Sequence, residues 1–104
     1  MPCYHLIEIK KSTKAQKKMM ATFIECKTGR TKTTHFGARG MSDYTIHKDK
    51  ARRERYLNRH ETSEDWENPT TAGSLSRWIL WNKPTLASSI ADYKRHFHFT
   101  AKKY

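Results

Sequence analysis

Cysteine is scarce: Cys3 and Cys26 are the only two in 104 residues. Two well-separated cysteines are not the disulfide framework of a small secreted domain, and no histidine stands at a zinc-finger spacing from them. Reduced thiols in a cytosolic setting are therefore the expectation. An N-terminal hairpin would bring Cys3 close to Cys26, but a bridge is not expected. Long apolar runs are missing too, and none approaches the ~20 residues that a membrane-spanning helix needs. The opening Met-Pro-Cys-Tyr-His lacks the charged and apolar regions of a secretory signal, so a chain that is soluble when made is expected. Acidic residues are few, 10 against 21 Lys and Arg, for a formal charge of +11. That excess favours a polyanionic partner, whether nucleic acid, an acidic membrane face or an acidic protein surface.

Apolar residues make up 36% of the chain and charged ones 30%, respectively low and high for a globular protein. A chain of this length forms one domain, here with a thin core. Three Trp, five Tyr and four Phe supply much of its buried area. Contacts with neighbours would supply part of its stability.

The chain reads as α+β: a small three-stranded antiparallel meander followed by about three helices packed on it. Residues 1–40 form the strand-rich part, 41–97 the helical part and 98–104 a basic tail. Strands are expected at Tyr4 to Lys10, which does not alternate cleanly, at Met19 to Cys26, and at Thr31 to Phe36 after a turn through Gly29. Such a meander needs a layer over one face. Helices are expected at Asp49 to His60, Ala72 to Asn82 and onward from Thr85, which caps the last. In that last helix Leu86, Ile90, Tyr93 and Phe97 form an amphipathic stripe.

No catalytic or metal-binding residues emerge. His47 and His60 sit near opposite ends of one helix, about 20 Å apart by helical rise, so they cannot share a metal. Asp43 is better placed as a cap, and His35 as a strand residue paired to a neighbour. No phosphate-binding Gly-rich loop is present, although the turn through Gly37, Arg39 and Gly40 could cradle a single anion. No cofactor and no small-molecule substrate are expected, and the reading is not an enzyme.

The basic helix is the stronger candidate. Arg52, Arg55 and Arg59 fall three and four residues apart on one face and can address phosphates or carboxylates, and Lys48 and Lys50 near the helix start are further contact candidates. The alternative is internal pairing with Glu54, Glu61, Glu64, Asp65 and Glu67. The helix lacks a helix-turn-helix lead-in and has few Asn or Gln for base edges. On the Trp-rich helix, Leu80 and Trp81 lie off the main stripe, and with Arg77 they have the composition of a protein-interface anchor.

The run Thr34-His35-Phe36-Gly37-Ala38-Arg39-Gly40, then Ser42-Asp43-Tyr44-Thr45, His47-Lys48-Asp49-Lys50 and Arg55-Tyr56-Leu57-Asn58-Arg59-His60, resembles the signature of a family of small basic proteins of nucleocytoplasmic large DNA viruses. The likeness continues through Trp66, Pro69, the run from Thr71 to Leu86, Ile90 and Asp92-Tyr93-Lys94, spanning roughly Tyr4 to Phe97, and the chain looks like a chlorella-virus or similar algal-virus member. The resemblance lends a setting rather than an activity. It implies a structural virion protein made in the host cytoplasm, foremost a minor capsid protein contacting other capsid proteins or the inner face of the shell. The alternative is a protein that binds nucleic acid without reading sequence, and a nuclease-like enzyme is the remote third.

Overall fold

Three strands, β1 (Tyr4–Lys11), β2 (Lys17–Glu25) and β3 (Thr31–Ala38), pair antiparallel in the order β1-β2-β3. The structure is a computed structural model and describes residues 3–99. On β2, Met19, Ala21 and Phe23 alternate onto one face, opposite Phe36, Thr34 and Lys32 of β3. The uneven pattern of β1 has a physical cause: the register shifts between Leu6 and Glu8, leaving Ile7 as an extra residue. Leu6 and Ile9 therefore both reach the core, while Ile7 is 47% exposed.

Four helical segments follow: α1 (Tyr44–His47), α2 (Lys50–His60), α3 (Ala72–Leu75) and α4 (Leu86–His96). Side-chain oxygens cap the start of each, namely Asp43, Asp49, Thr71 and Thr85. The predicted helix over 72–82 is not uniform. After Leu75 it widens into a π-helical turn, Ser76–Leu80, in which the Trp81 amide donates to the Ser76 carbonyl at 3.1 Å. An i→i+5 turn brings Leu80 round to the side already occupied by Leu75 and Ile79.

The core lies between the sheet and the C-terminal helices: Leu6, Ala21, Phe23 and Phe36 on one side, Leu75, Ile79, Leu80 and Tyr93 on the other. Each large apolar side chain fully buried here contributes about 1.5–3 kcal/mol. Tyr93 is completely buried and its hydroxyl donates to the Pro69 carbonyl at 2.7 Å, so the polar end is satisfied. Burial pushes that hydroxyl's pKa upward.

Two expectations are corrected here. Cys3 and Cys26 are joined by a disulfide, because the β1–β2 register sets them opposite each other with Cα atoms 5.3 Å apart. Closing a loop of that size contributes on the order of 3 kcal/mol in the chain-entropy account, a substantial aid to a thin core. The predicted tail also begins too early. His98 takes the left-handed conformation (φ 60°), and the Phe99 amide returns to the Lys94 carbonyl at 2.8 Å. Phe99 thereby packs on Phe23 and Tyr93. Residues 100–104 of the predicted tail lie outside the described residues.

Candidate polyanion-binding face

Helix α2 is held by one side and charged on the other. Asp49 accepts from the amides of Ala51 and Arg52 at its start, and Arg59 and His60 suit the dipole at its end. On the inner side Tyr56 is buried, its ring parallel to that of Trp81 at 4.2 Å and stacked on His60 at 4.3 Å. Burial pushes the Tyr56 hydroxyl up to about 12, with Glu64 adding to the effect and Arg59 opposing it. Arg53 points inward as well, donating to the Asn82 carbonyl at 3.0 Å and to Glu54 at 3.2 Å.

Lys50, Arg52, Arg55 and Arg59 are exposed. The internal-pairing alternative would have the nearby carboxylates neutralise them, but four of the five are engaged elsewhere. Glu54 pairs with Arg53, Glu64 with His60, and Glu67 with His96, while Asp65 accepts from the Glu67 amide. Among the described residues, no carboxylate lies within ion-pair distance of Arg52, Arg55 or Arg59. Lys48 does not belong to this group. It adopts the left-handed conformation at the end of α1, and its ammonium bridges the carbonyls of Thr45 and Pro84 at 2.8 and 2.9 Å.

The predicted interface anchor is rearranged. Leu80 is 3% exposed, drawn into the core by the π turn. Trp81 is half-buried between Tyr56 and His47. The Arg77 guanidinium lies 4.1 Å from the Trp78 ring and 5.3 Å from that of Trp66, and burial lowers its pKa. These residues tie helices together rather than offering a free apolar patch.

The Gly37-Ala38-Arg39-Gly40 turn forms where expected. The Arg39 amide donates to the Gln16 carbonyl at 3.0 Å and its guanidinium to the Lys17 carbonyl at 3.1 Å, so the turn extends the β2–β3 ladder. Gly37 (φ 77°) lies where a Cβ would meet the Leu80 Cδ1 at 2.6 Å.

Beside this turn, Lys18 and Asp43 form an ion pair at 2.5 Å, with side chains only 17% and 3% exposed. The pair floors two adjoining depressions of about 410 and 240 Å³. Asp43 also accepts from the Thr45 amide and hydroxyl, anchoring α1 to β2. Removing one partner of so buried a pair costs about 3–5 kcal/mol, because the other charge is stranded. Asp43→Ala is therefore expected to lower stability by that amount in urea unfolding, and Lys18→Met with Asp43→Leu together by much less.

The expectation that His47 and His60 lie on one helix about 20 Å apart is corrected: His47 ends α1, which Lys48 in the left-handed conformation separates from α2, and ring contacts through Trp81 and Tyr56 link the two imidazoles. The His47 Nδ1 accepts from the Asp49 amide at 2.9 Å, and His60 sits at the far end of α2. His35 pairs with the Ser12 hydroxyl at 2.7 Å. The sequence reading missed one convergence: ligand atoms of Cys3, His5 and Cys26 lie within 4.8 Å of one another. Strand alternation was the available signal, since His5 follows Cys3 by two residues and Cys26 sits across the pair.

Among the described residues, no helix is long and apolar enough to cross a membrane. No curated protein and no solved structure matches the chain. One family model does, over residues 7–60, a stretch that runs from the β1 bulge through the sheet to the last residue of α2 and so includes Lys50, Arg52, Arg55 and Arg59. With more than half its length in that match, the chain belongs to the family of unknown function DUF5754.

Proposed function

We propose that this chain is a non-catalytic binding protein that docks on nucleic-acid phosphates through the outer side of α2, without reading base sequence. The observation that carries the reading is the contrast within one helix. Arg53 is paired and turned inward, whereas Arg52, Arg55 and Arg59, with Lys50, stand exposed and unmatched by any carboxylate among the described residues. Unpaired guanidinium groups suit bidentate phosphate contact, and the +11 formal charge adds a long-range attraction. The lack of Asn and Gln on this side of α2, beyond Asn58, fits contact with the backbone rather than base edges.

The resemblance to proteins of large DNA viruses supports reading this activity as genome packaging in a virion. A second reading, a minor capsid protein touching an acidic neighbour, is favoured by a separate observation. Met41 and Ile46 are 65% and 63% exposed beside the Lys18–Asp43 pair, apolar contacts that a protein neighbour would cover.

Salt titration of binding to duplexes of unrelated sequence tests the proposal. Four contacted phosphates give a slope of log affinity against log salt of about −3.6, which is about 150-fold between 50 and 200 mM. The slope should be the same for every duplex. No measurable binding at the lower salt would remove the nucleic-acid reading and leave the capsid one. Co-sedimentation with nuclease-treated shells would then support it.

A further inference from the structure

We propose that the hairpin end carrying Cys3, His5 and Cys26 is a metal site in the dithiol state, taking one zinc-like d¹⁰ cation on two thiolates and an imidazole. This goes beyond the reading of α2 and does not depend on it, since the two lie on different elements.

The argument starts from strand geometry. Tyr4 pairs with Glu25, so one step outward Cys3 meets Cys26, and the Cys26 amide donates to the Cys3 carbonyl at 2.9 Å. His5 lies two residues along β1, on the same side of the strand as Cys3, because the β1 bulge falls beyond it. Three ligand atoms thus gather within 4.8 Å on backbone that the sheet already fixes. Ligands about a tetrahedral zinc stand on the order of 3.5–3.8 Å apart, given Zn–S near 2.3 Å and Zn–N near 2.0–2.1 Å. Once the S–S bond is opened, rotation of the two cysteine side chains suffices to reach that spacing. The ligand set is soft thiolate with imidazole, which selects zinc or copper(I) over magnesium or calcium. Cys3 and Cys26 are exposed, so a fourth position faces solvent and is open to water or to a ligand from a partner.

The chemistry is a choice between two cross-links. In the disulfide state the sulfur atoms are bonded to each other and have no thiolate to offer. Two electrons from a phosphine and two protons from one water convert the bond to two thiols, and that water's oxygen leaves on the phosphine oxide. Binding the cation then releases both thiol protons. Either cross-link joins the start of β1 to the end of β2, so the hairpin keeps a clasp in oxidising and in reducing surroundings.

The test uses the full chain, with zinc(II) and cobalt(II) as probes. The phosphine-reduced chain should take up one zinc per molecule with release of two protons. Cobalt should give thiolate-to-metal charge-transfer absorption. The disulfide form should show neither. His5→Ala leaves both cysteines in place and should still weaken zinc by at least about 10-fold, since even outer-shell partners cost 10- to 100-fold. Circular dichroism accompanies each titration. A reduced chain that loses its strands and regains them with zinc supports the site, and one that zinc does not restore overturns it. Equal zinc uptake by the disulfide form, or unchanged affinity in His5→Ala, would also overturn it.

Discussion

Replacing Arg52, Arg55 and Arg59 by Gln together is expected to lower duplex affinity about 3000-fold at 50 mM salt and about 80-fold at 200 mM. The figures follow from counterion release alone: three lost phosphate contacts remove about 2.7 from the magnitude of the salt slope, leaving about −0.9 from Lys50. The three side chains are exposed and make no ion pair among the described residues, so the fold should be nearly untouched. That separation is what makes the variant informative. A matched control, Lys14, Lys27 and Arg30 to Gln, removes the same charge from the two hairpin turns. If phosphates meet α2, the control keeps its slope near −3.6; if charge acts only in bulk, both variants lose alike. Fluorescence anisotropy across salt concentrations distinguishes the two. A triple variant that binds as the wild type does would end the proposal for α2.

What the sequence disclosed about this face, and what it hid, divides along local and non-local lines. The stretch Asp49 to His60 is readable because its cap, its charge spacing and its single buried stripe are properties of one helix. Lys48 is not readable, since its ammonium is spent on the carbonyl of Pro84, thirty-six residues away. The same division separates Arg53 from Arg52. Both look alike in sequence, and only the position of Asn82 decides that one is structural.

The Trp-rich segment misled for a related reason. A 3.6-residue period puts Leu80 off the stripe of Leu75 and Ile79, and no residue in Ser76-Arg77-Trp78-Ile79-Leu80 announces a π turn. The widening is imposed by packing: Leu75, Ile79 and Leu80 all gain burial against the sheet and Tyr93 if the backbone accepts one wide turn. The disulfide lay nearer to view. Once the strands end at Tyr4 and Glu25, antiparallel pairing fixes Cys3 beside Cys26, and His5 comes with it by alternation. Compositional reasoning about redox compartment pointed the other way, because it weighs the number of cysteines and not their register.

Gly37→Ala is expected to cost about 3 kcal/mol, roughly 15 °C in melting temperature for a domain of this size. Two penalties combine. The backbone at φ 77° is left-handed, which an L side chain resists by about 1–2 kcal/mol. The added Cβ would sit 2.6 Å from the Leu80 Cδ1 and 3.3 Å from the Lys18 Cβ, and overpacking of that kind costs about 1–3 kcal/mol. Leu80 cannot swing aside cheaply, because it is 3% exposed and wedged in the core by the π turn. A double-mutant cycle separates the penalties. Leu80→Ala alone should cost about 2–5 kcal/mol for its cavity, but adding Gly37→Ala to it should cost only the backbone share, about 1–2 kcal/mol. The coupling of about 1–3 kcal/mol would show that this glycine exists to let β3 approach the helical layer. Strict additivity would assign the whole cost to the left-handed backbone. A stable Gly37→Ala protein that loses duplex binding would instead make the Gly37-Ala38-Arg39-Gly40 turn a contact surface, and would shift the binding face from α2 toward the end of the sheet.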